Sequence, residues 1–139
     1  THQGHSLGVA AAYEVQKIIH NEKFLSNVTK NGNYLRKTLF DELKNHEFFK
    51  NIRGRGLRNS LEYKCKDKHL FGVALTDIAK TKENLLISAK WHRVCLSPAI
   101  NITKKDLDSG LEKFLKCFKK VASQWDSKKI KTIKNRQFF

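Results

Sequence analysis

Asn51-Ile-Arg-Gly-Arg-Gly-Leu57 is the stretch on which the fold turns. Its two glycines stand one residue apart between Ile52 and Leu57. Glycine takes backbone angles that other residues resist, so the stretch reads as a tight turn. Residues 57–64 then carry Leu57, Ser60, Leu61 and Tyr63 in an imperfect period of two, a strand leaving that turn.

Upstream, Val9, Ala12, Val15, Ile18 and Ile19 recur at helical spacing, with Ser6 placed to cap the first turn and an end near residues 20–21. A second helical stripe runs through Phe24, Leu25, Val28, Leu35, Leu39, Phe40 and Leu43. Gly32 lies inside it, either weakening the helix or letting another backbone come close. Downstream, Phe71, Val73, Ala74, Leu75 and Ile78 predict a helix ending around residues 80–82. Residues 85–88 and 93–96 read as two short strands joined by Ala89-Lys90-Trp91-His92, with Pro98 beyond the second. Thr103, with Asp106 three positions on, signs the start of a last helix through Leu107, Leu111, Phe114, Leu115, Phe118 and Val121.

The expected order is helix, helix, strand, helix, strand, strand, helix. This is an α+β layer, a small antiparallel sheet covered by helices and preceded by a long connector helix. Residues 1–22 form the connector, 23–125 the sheet-and-helix domain, and 126–139 a basic tail too poor in apolar residues for a core and expected to be disordered.

Nine Phe and two Trp among 139 residues suffice for one modest core. No apolar run is long enough to span a membrane, and no basic segment precedes the apolar stretch at the N-terminus, so the chain reads as cytoplasmic. Cys65, Cys95 and Cys117 are odd in number and lack metal spacing, which makes them reduced thiols. His2 and His5 are the nearest approach to a metal pair, and no metal site is expected. The net charge of +15 would attract nucleic acid or an anionic surface. The basic residues are spread over every segment, however, without an aromatic-flanked stripe on which bases could stack. A solvated surface is the simpler reading, and a nucleic-acid binder is kept as an alternative.

Three ordered segments resemble the class III aminotransferases of the type I pyridoxal-phosphate fold. Thr1-His-Gln-Gly-His-Ser-Leu-Gly-Val-Ala-Ala-Ala12 is similar to the family's Thr-aromatic stretch before an Ala-rich helix. Asn51-Ile-Arg-Gly-Arg-Gly-Leu57, followed by Leu61-Glu62, is similar to its Val-Arg-Gly-x-Gly-Leu element. Cys95-Leu-Ser-Pro-Ala-Ile-Asn-Ile-Thr103 with Asp106 resembles its Ser-Pro-Pro-Leu-x-Ile-Thr element. Ser6 stands in place of a helix-initiating proline, His2 in place of Tyr or Phe, and Ala99 in place of a second proline. The resemblance implies the C-terminal small domain of a homodimeric enzyme that moves an amino group from an amine or amino acid to a 2-oxo acid or aldehyde through pyridoxal 5'-phosphate.

It also implies that the catalytic lysine, the ring-nitrogen carboxylate and the phosphate cup lie upstream of Thr1, so the chain alone is expected to be inactive and to supply no catalytic residue. Thr1 is implied to offer its hydroxyl and N–H to the cofactor phosphate of the partner subunit; otherwise it is merely a loose first residue. Arg93 stands on the strand entering Leu96-Ser97-Pro98, where family members place a carboxylate-binding arginine. A planar guanidinium suits that task through paired charge-assisted bonds, and an ordinary surface arginine is the alternative. Arg53 reads as a structural member of its turn rather than a phosphate loop, because no phosphate-binding glycine pattern or following helix accompanies it. A free-standing interaction module derived from the aminotransferase small domain remains the alternative for the whole chain.

Overall fold

The computed structural model describes residues 3–20 and 22–125. Its elements are α1 (Ser6–Ile19), α2 (Glu22–Leu43), β1 (Phe49–Arg55), β2 (Arg58–Tyr63), α3 (Lys68–Glu83), β3 (Ser88–Lys90), β4 (Arg93–Leu96) and α4 (Lys104–Ser123). The four strands form one antiparallel sheet in the order β1-β2-β4-β3, and α2, α3 and α4 cover one of its faces. The α+β architecture expected from the sequence is therefore present. The basic tail lies outside the described residues.

Alternation along the strands sends Leu61, Tyr63 and Val94 toward the helices, where they join Leu35, Leu39 and Leu43 of α2, Phe71 and Leu75 of α3, and Leu111, Phe114 and Phe118 of α4 in one core. Aromatic edges lock its centre: Phe71 lies 4.8 Å from Tyr63, 5.6 Å from Phe118 and 5.2 Å from Trp125, ring centre to ring centre. Helix α4 starts as its signature requires. The Thr103 hydroxyl accepts the Asp106 N–H at 3.1 Å, and the helix then buries Leu107, Leu111, Phe114, Cys117, Phe118, Val121 and Ala122 on one face.

Three expectations are corrected. First, residues 51–55 belong to strand β1 and not to the turn, which shrinks to Gly56-Leu57 with Arg55 directly opposite Arg58. Gly56, at φ +51°, occupies the first loop position, where a two-residue hairpin of the II′ kind needs a left-handed residue. Gly54 is a strand glycine: a Cβ there would come within 2.3 Å of the Arg58 carbonyl oxygen. Second, the β3–β4 connection is only Trp91-His92, and the first strand begins at Ser88 rather than residue 85. The Leu85 N–H is already spent on the Ala79 carbonyl at the end of α3, so pairing starts later. Third, His5 rather than Ser6 occupies the N-cap of α1, with no side-chain cap bond.

Helix α1 itself forms as expected, but none of its residues is buried; Leu7, Tyr13 and Ile18 are each more than half exposed. Gly32 earns its place in α2, since a Cβ on it would sit 2.0 Å from the Gly56 carbonyl oxygen. Its second reading, close approach of another backbone, is the one realised. Gly32→Ala is therefore expected to cost about 3 kcal/mol or more of folding free energy, because the intruded atoms are backbone. Gly110→Ala in α4, where a Cβ meets nothing within 4 Å, should instead gain up to about 1 kcal/mol. Urea unfolding of the two variants measures both.

Candidate functional site

The hairpin tip is tied to α2 through side chains as well as by the Gly32 contact. Arg36 donates from Nη1 to the Asn59 Oδ1 at 2.7 Å and to the Gly56 carbonyl at 3.1 Å, while Asn59, 2% exposed, donates from Nδ2 to the same carbonyl at 3.2 Å. A buried amide is stable only when so partnered. With Asn59 pinned toward the helices, its neighbours Arg58, Ser60 and Glu62 must point to the other face of the sheet.

Residues directly opposite across antiparallel strands share a face, so the register assembles that second face row by row. Arg55 faces Arg58; Arg53, Ser60, Cys95 and Ser88 form the next row; Asn51, Glu62, Arg93 and Lys90 form the third. Sequence reasoning had singled out Arg53 and Arg93 separately, and the sheet brings them to neighbouring rows. It had overlooked what lies between them.

Glu62 is 5% exposed, yet its carboxylate bonds to Lys50 at 3.2 Å and to Arg53 at 2.5 Å, two side chains that are themselves more than half exposed. The cations fold over the carboxylate and bury it. The bond from Lys50 holds the Glu62 carboxyl below its ordinary range, opposed by burial and helped by the charges of Arg53, Lys50 and His92. Arg53 is thus a structural ion-pair member, of the strand rather than of a turn. Arg93, half-buried and opposite Glu62, makes no side-chain hydrogen bond or ion pair among the described residues. Ser60 Oγ is buried without a hydrogen-bond partner among them. The face therefore presents two cations sharing one carboxylate, one uncommitted guanidinium and one orphan hydroxyl. Such a surface can receive an external carboxylate at Arg93. The signal for Glu62 was available as strand alternation, but only to a reader who already knew that residues 51–55 pair with it.

The described residues do not by themselves make a cage for pyridoxal phosphate. No described lysine is buried. The two with clearly shifted proton affinity, Lys104 and Lys116, hold their protons more tightly because they hydrogen-bond to Asp108 and Glu83. An amine that must attack an aldehyde needs the opposite shift. The Cys65 thiol is pushed up to about 11 by burial and is a poor nucleophile. No group of three or more His, Cys, Asp or Glu able to hold a metal occurs among the described residues, and no described helix is long and apolar enough to cross a membrane. Thr1 lies outside the described residues.

Glu62 has a lowered carboxyl in the folded chain, so it adds stability above its unfolded value of about 4.3, and that contribution is lost as pH falls through the lower folded value. Glu62→Gln is accordingly expected to destabilise the fold by about 1 kcal/mol at pH 7, with the deficit shrinking as pH falls through the lowered folded value. Paired thermal melts at several pH values check this; a deficit independent of pH would mean that the charge is irrelevant.

The family described as "Aminotransferase class-III" matches residues 1–118. An aminotransferase of Gibberella zeae is 35% identical over 133 residues, covering 81% of this chain and 25% of that protein. The ornithine aminotransferase of Plasmodium falciparum is 33% identical over 121 residues, covering 86% of this chain and 28% of that protein. Among solved structures, the ornithine aminotransferase of Toxoplasma gondii superposes with a TM-score of 0.73 at 24% identity, over 83% of this chain and 27% of the other. The chain spans about a quarter of the length of these relatives. With the family match running over residues 1–118 and a relative 35% identical over 81% of the chain, the chain belongs to the class III aminotransferases.

Proposed function

We propose that this chain is the C-terminal small domain, with its connector helix, of a longer enzyme that transfers an amino group from an amine or amino acid to a 2-oxo acid or aldehyde. The match of residues 1–118 to the aminotransferase family carries the reading. Pyridoxal phosphate, when bound, supplies the electron sink for such chemistry, and it would be held by residues outside the described ones. The connector, residues 1–22, leads from a large domain; the apolar residues that α1 leaves exposed support its burial against that domain. Thr1 donates to the cofactor phosphate of the partner subunit in a homodimer, where a short hydroxyl and an N–H ahead of a helix suit a phosphate. The longer enzyme is cytoplasmic. The chain by itself is inactive.

Arg93 binds the substrate carboxylate. That it has no side-chain partner among the described residues supports this, because Glu62 is already bonded to Lys50 and Arg53 and does not hold the guanidinium back. Relatives named as ornithine aminotransferases make ornithine with a 2-oxo acid the first substrate pair to assay.

The full-length enzyme is expected to show a visible cofactor absorbance that borohydride abolishes together with activity; a colourless protein that takes up no pyridoxal phosphate would sink the reading. In that enzyme Arg93→Ala should raise KM for the amino acid about 10- to 100-fold while leaving the absorbance intact, and Arg93→Lys should recover little, since a point charge cannot replace a planar fork. Unchanged KM in both variants would return Arg93 to the surface.

A further inference from the structure

The hairpin tip, two rows along the strands from Arg93, carries a feature that amino-group transfer does not use. Arg55 and Arg58 stand directly opposite each other across β1 and β2, both exposed, and neither makes a side-chain hydrogen bond or ion pair among the described residues. Like charges in facing positions of an antiparallel pair destabilise it. Some cations are paired: Lys50 and Arg53 share Glu62, Lys116 reaches Glu83 and Lys119 reaches Glu42, whereas Lys90 faces Arg93 across β3 and β4 with neither in an ion pair among the described residues. What sets the tip apart is that its two facing guanidiniums, with no carboxylate bonded to them among the described residues, border an apolar groove.

The tip also overhangs a groove of about 540 Å³ between the start of α2 and the loop after β4. Leu25, Val28, Leu57, Pro98 and Ile100 line it, and Leu25 and Ile100 are each 49% exposed. A bare phosphate or carboxylate would satisfy the arginines and leave this apolar floor wet. A polypeptide segment bearing both carboxylates and apolar side chains covers both, which is the complementarity seen at interfaces where charge orients and apolar burial holds.

We propose that the Arg55/Arg58 rim and the apolar groove beneath it are a docking surface for an acidic polypeptide segment that inserts apolar side chains between α2 and the β4–α4 loop. The probe is a short fluorescein-labelled peptide built of leucine and glutamate, titrated against the full 139-residue chain and followed by fluorescence anisotropy. R55Q/R58Q is expected to weaken binding about tenfold or more and, having relieved the repulsion, to melt no lower than the parent chain. K80Q/K82Q removes the same two charges from exposed positions of α3 and is expected to bind as the parent does. I100S, which keeps all the charge, is expected to weaken binding severalfold.

Equal loss in K80Q/K82Q and R55Q/R58Q would mean that the net charge of +15 attracts the peptide without a site. An unaffected I100S, with full displacement of the peptide by millimolar inorganic phosphate, would make the tip a small-anion site. A chain that sediments as a dimer until R55Q/R58Q is introduced would make the occupant a second copy. Each of these results overturns the proposal.

Discussion

Helix α2 and the β1–β2 hairpin meet backbone to backbone, which is possible only where neither carries a side chain. Gly32 on the helix and Gly56 at the loop supply the gap, and Arg36 with Asn59 then closes hydrogen bonds across it. The Gly56 carbonyl accepts two of these bonds, so one oxygen anchors the loop to the helix. Once the loop is held, the register of β1 on β2 is held, and a slip of one residue would turn Asn59 out and Glu62 into the core. The composition of the open sheet face follows from this single contact.

That face concentrates cations around one carboxylate. Lys50 and Arg53 spend their charge on Glu62, which they shield from water, and so the pair persists as a satisfied unit rather than as an isolated buried charge. Arg93, next to them in register, makes no side-chain hydrogen bond or ion pair among the described residues. In the proposed role, a carboxylate arriving from outside would meet Arg93 without breaking an ion pair among the described residues. The opposite face, apolar apart from the hydrogen-bonded Asn59, fastens the sheet to α2, α3 and α4. One surface holds the domain together while the other carries the charged side chains.

Membership in the class III aminotransferases gives these features a setting, and the exposed α1 gives them a direction. A helix with Leu7, Val9, Tyr13, Val15 and Ile18 open to solvent presents an apolar stripe through Leu7, Val15 and Ile18, with Val9 and Tyr13 on its other side, that the described residues do not cover. A stripe of that kind is paired somewhere in a stable assembly. The chain spans about a quarter of its relatives' length, so the surfaces left bare here, the α1 stripe and the basic sheet face, are those on which its function has to be sought.

Helices were legible in the sequence because their code is local. The stripes of α2 and α4 and the Thr103 cap with Asp106 could be read from neighbours three and four residues apart, and each formed where expected. Strand β1 was not legible: Gly54 read as turn chemistry, whereas its glycine answers to the Arg58 carbonyl approaching from the next strand. For β3 the misplacement has the same origin, since the Leu85 N–H was claimed by the end of α3. By itself the sequence determined the helical frame, the α+β class, the presence of Arg93 on a strand and the resemblance to a family. Only the tertiary structure decided that Glu62 is buried beneath Lys50 and Arg53, that Arg93 faces it unpaired, and that Arg55 opposes Arg58. Those facts depend on register between strands distant in the chain, and register is set by what packs on each face, a property that no local stretch of residues encodes.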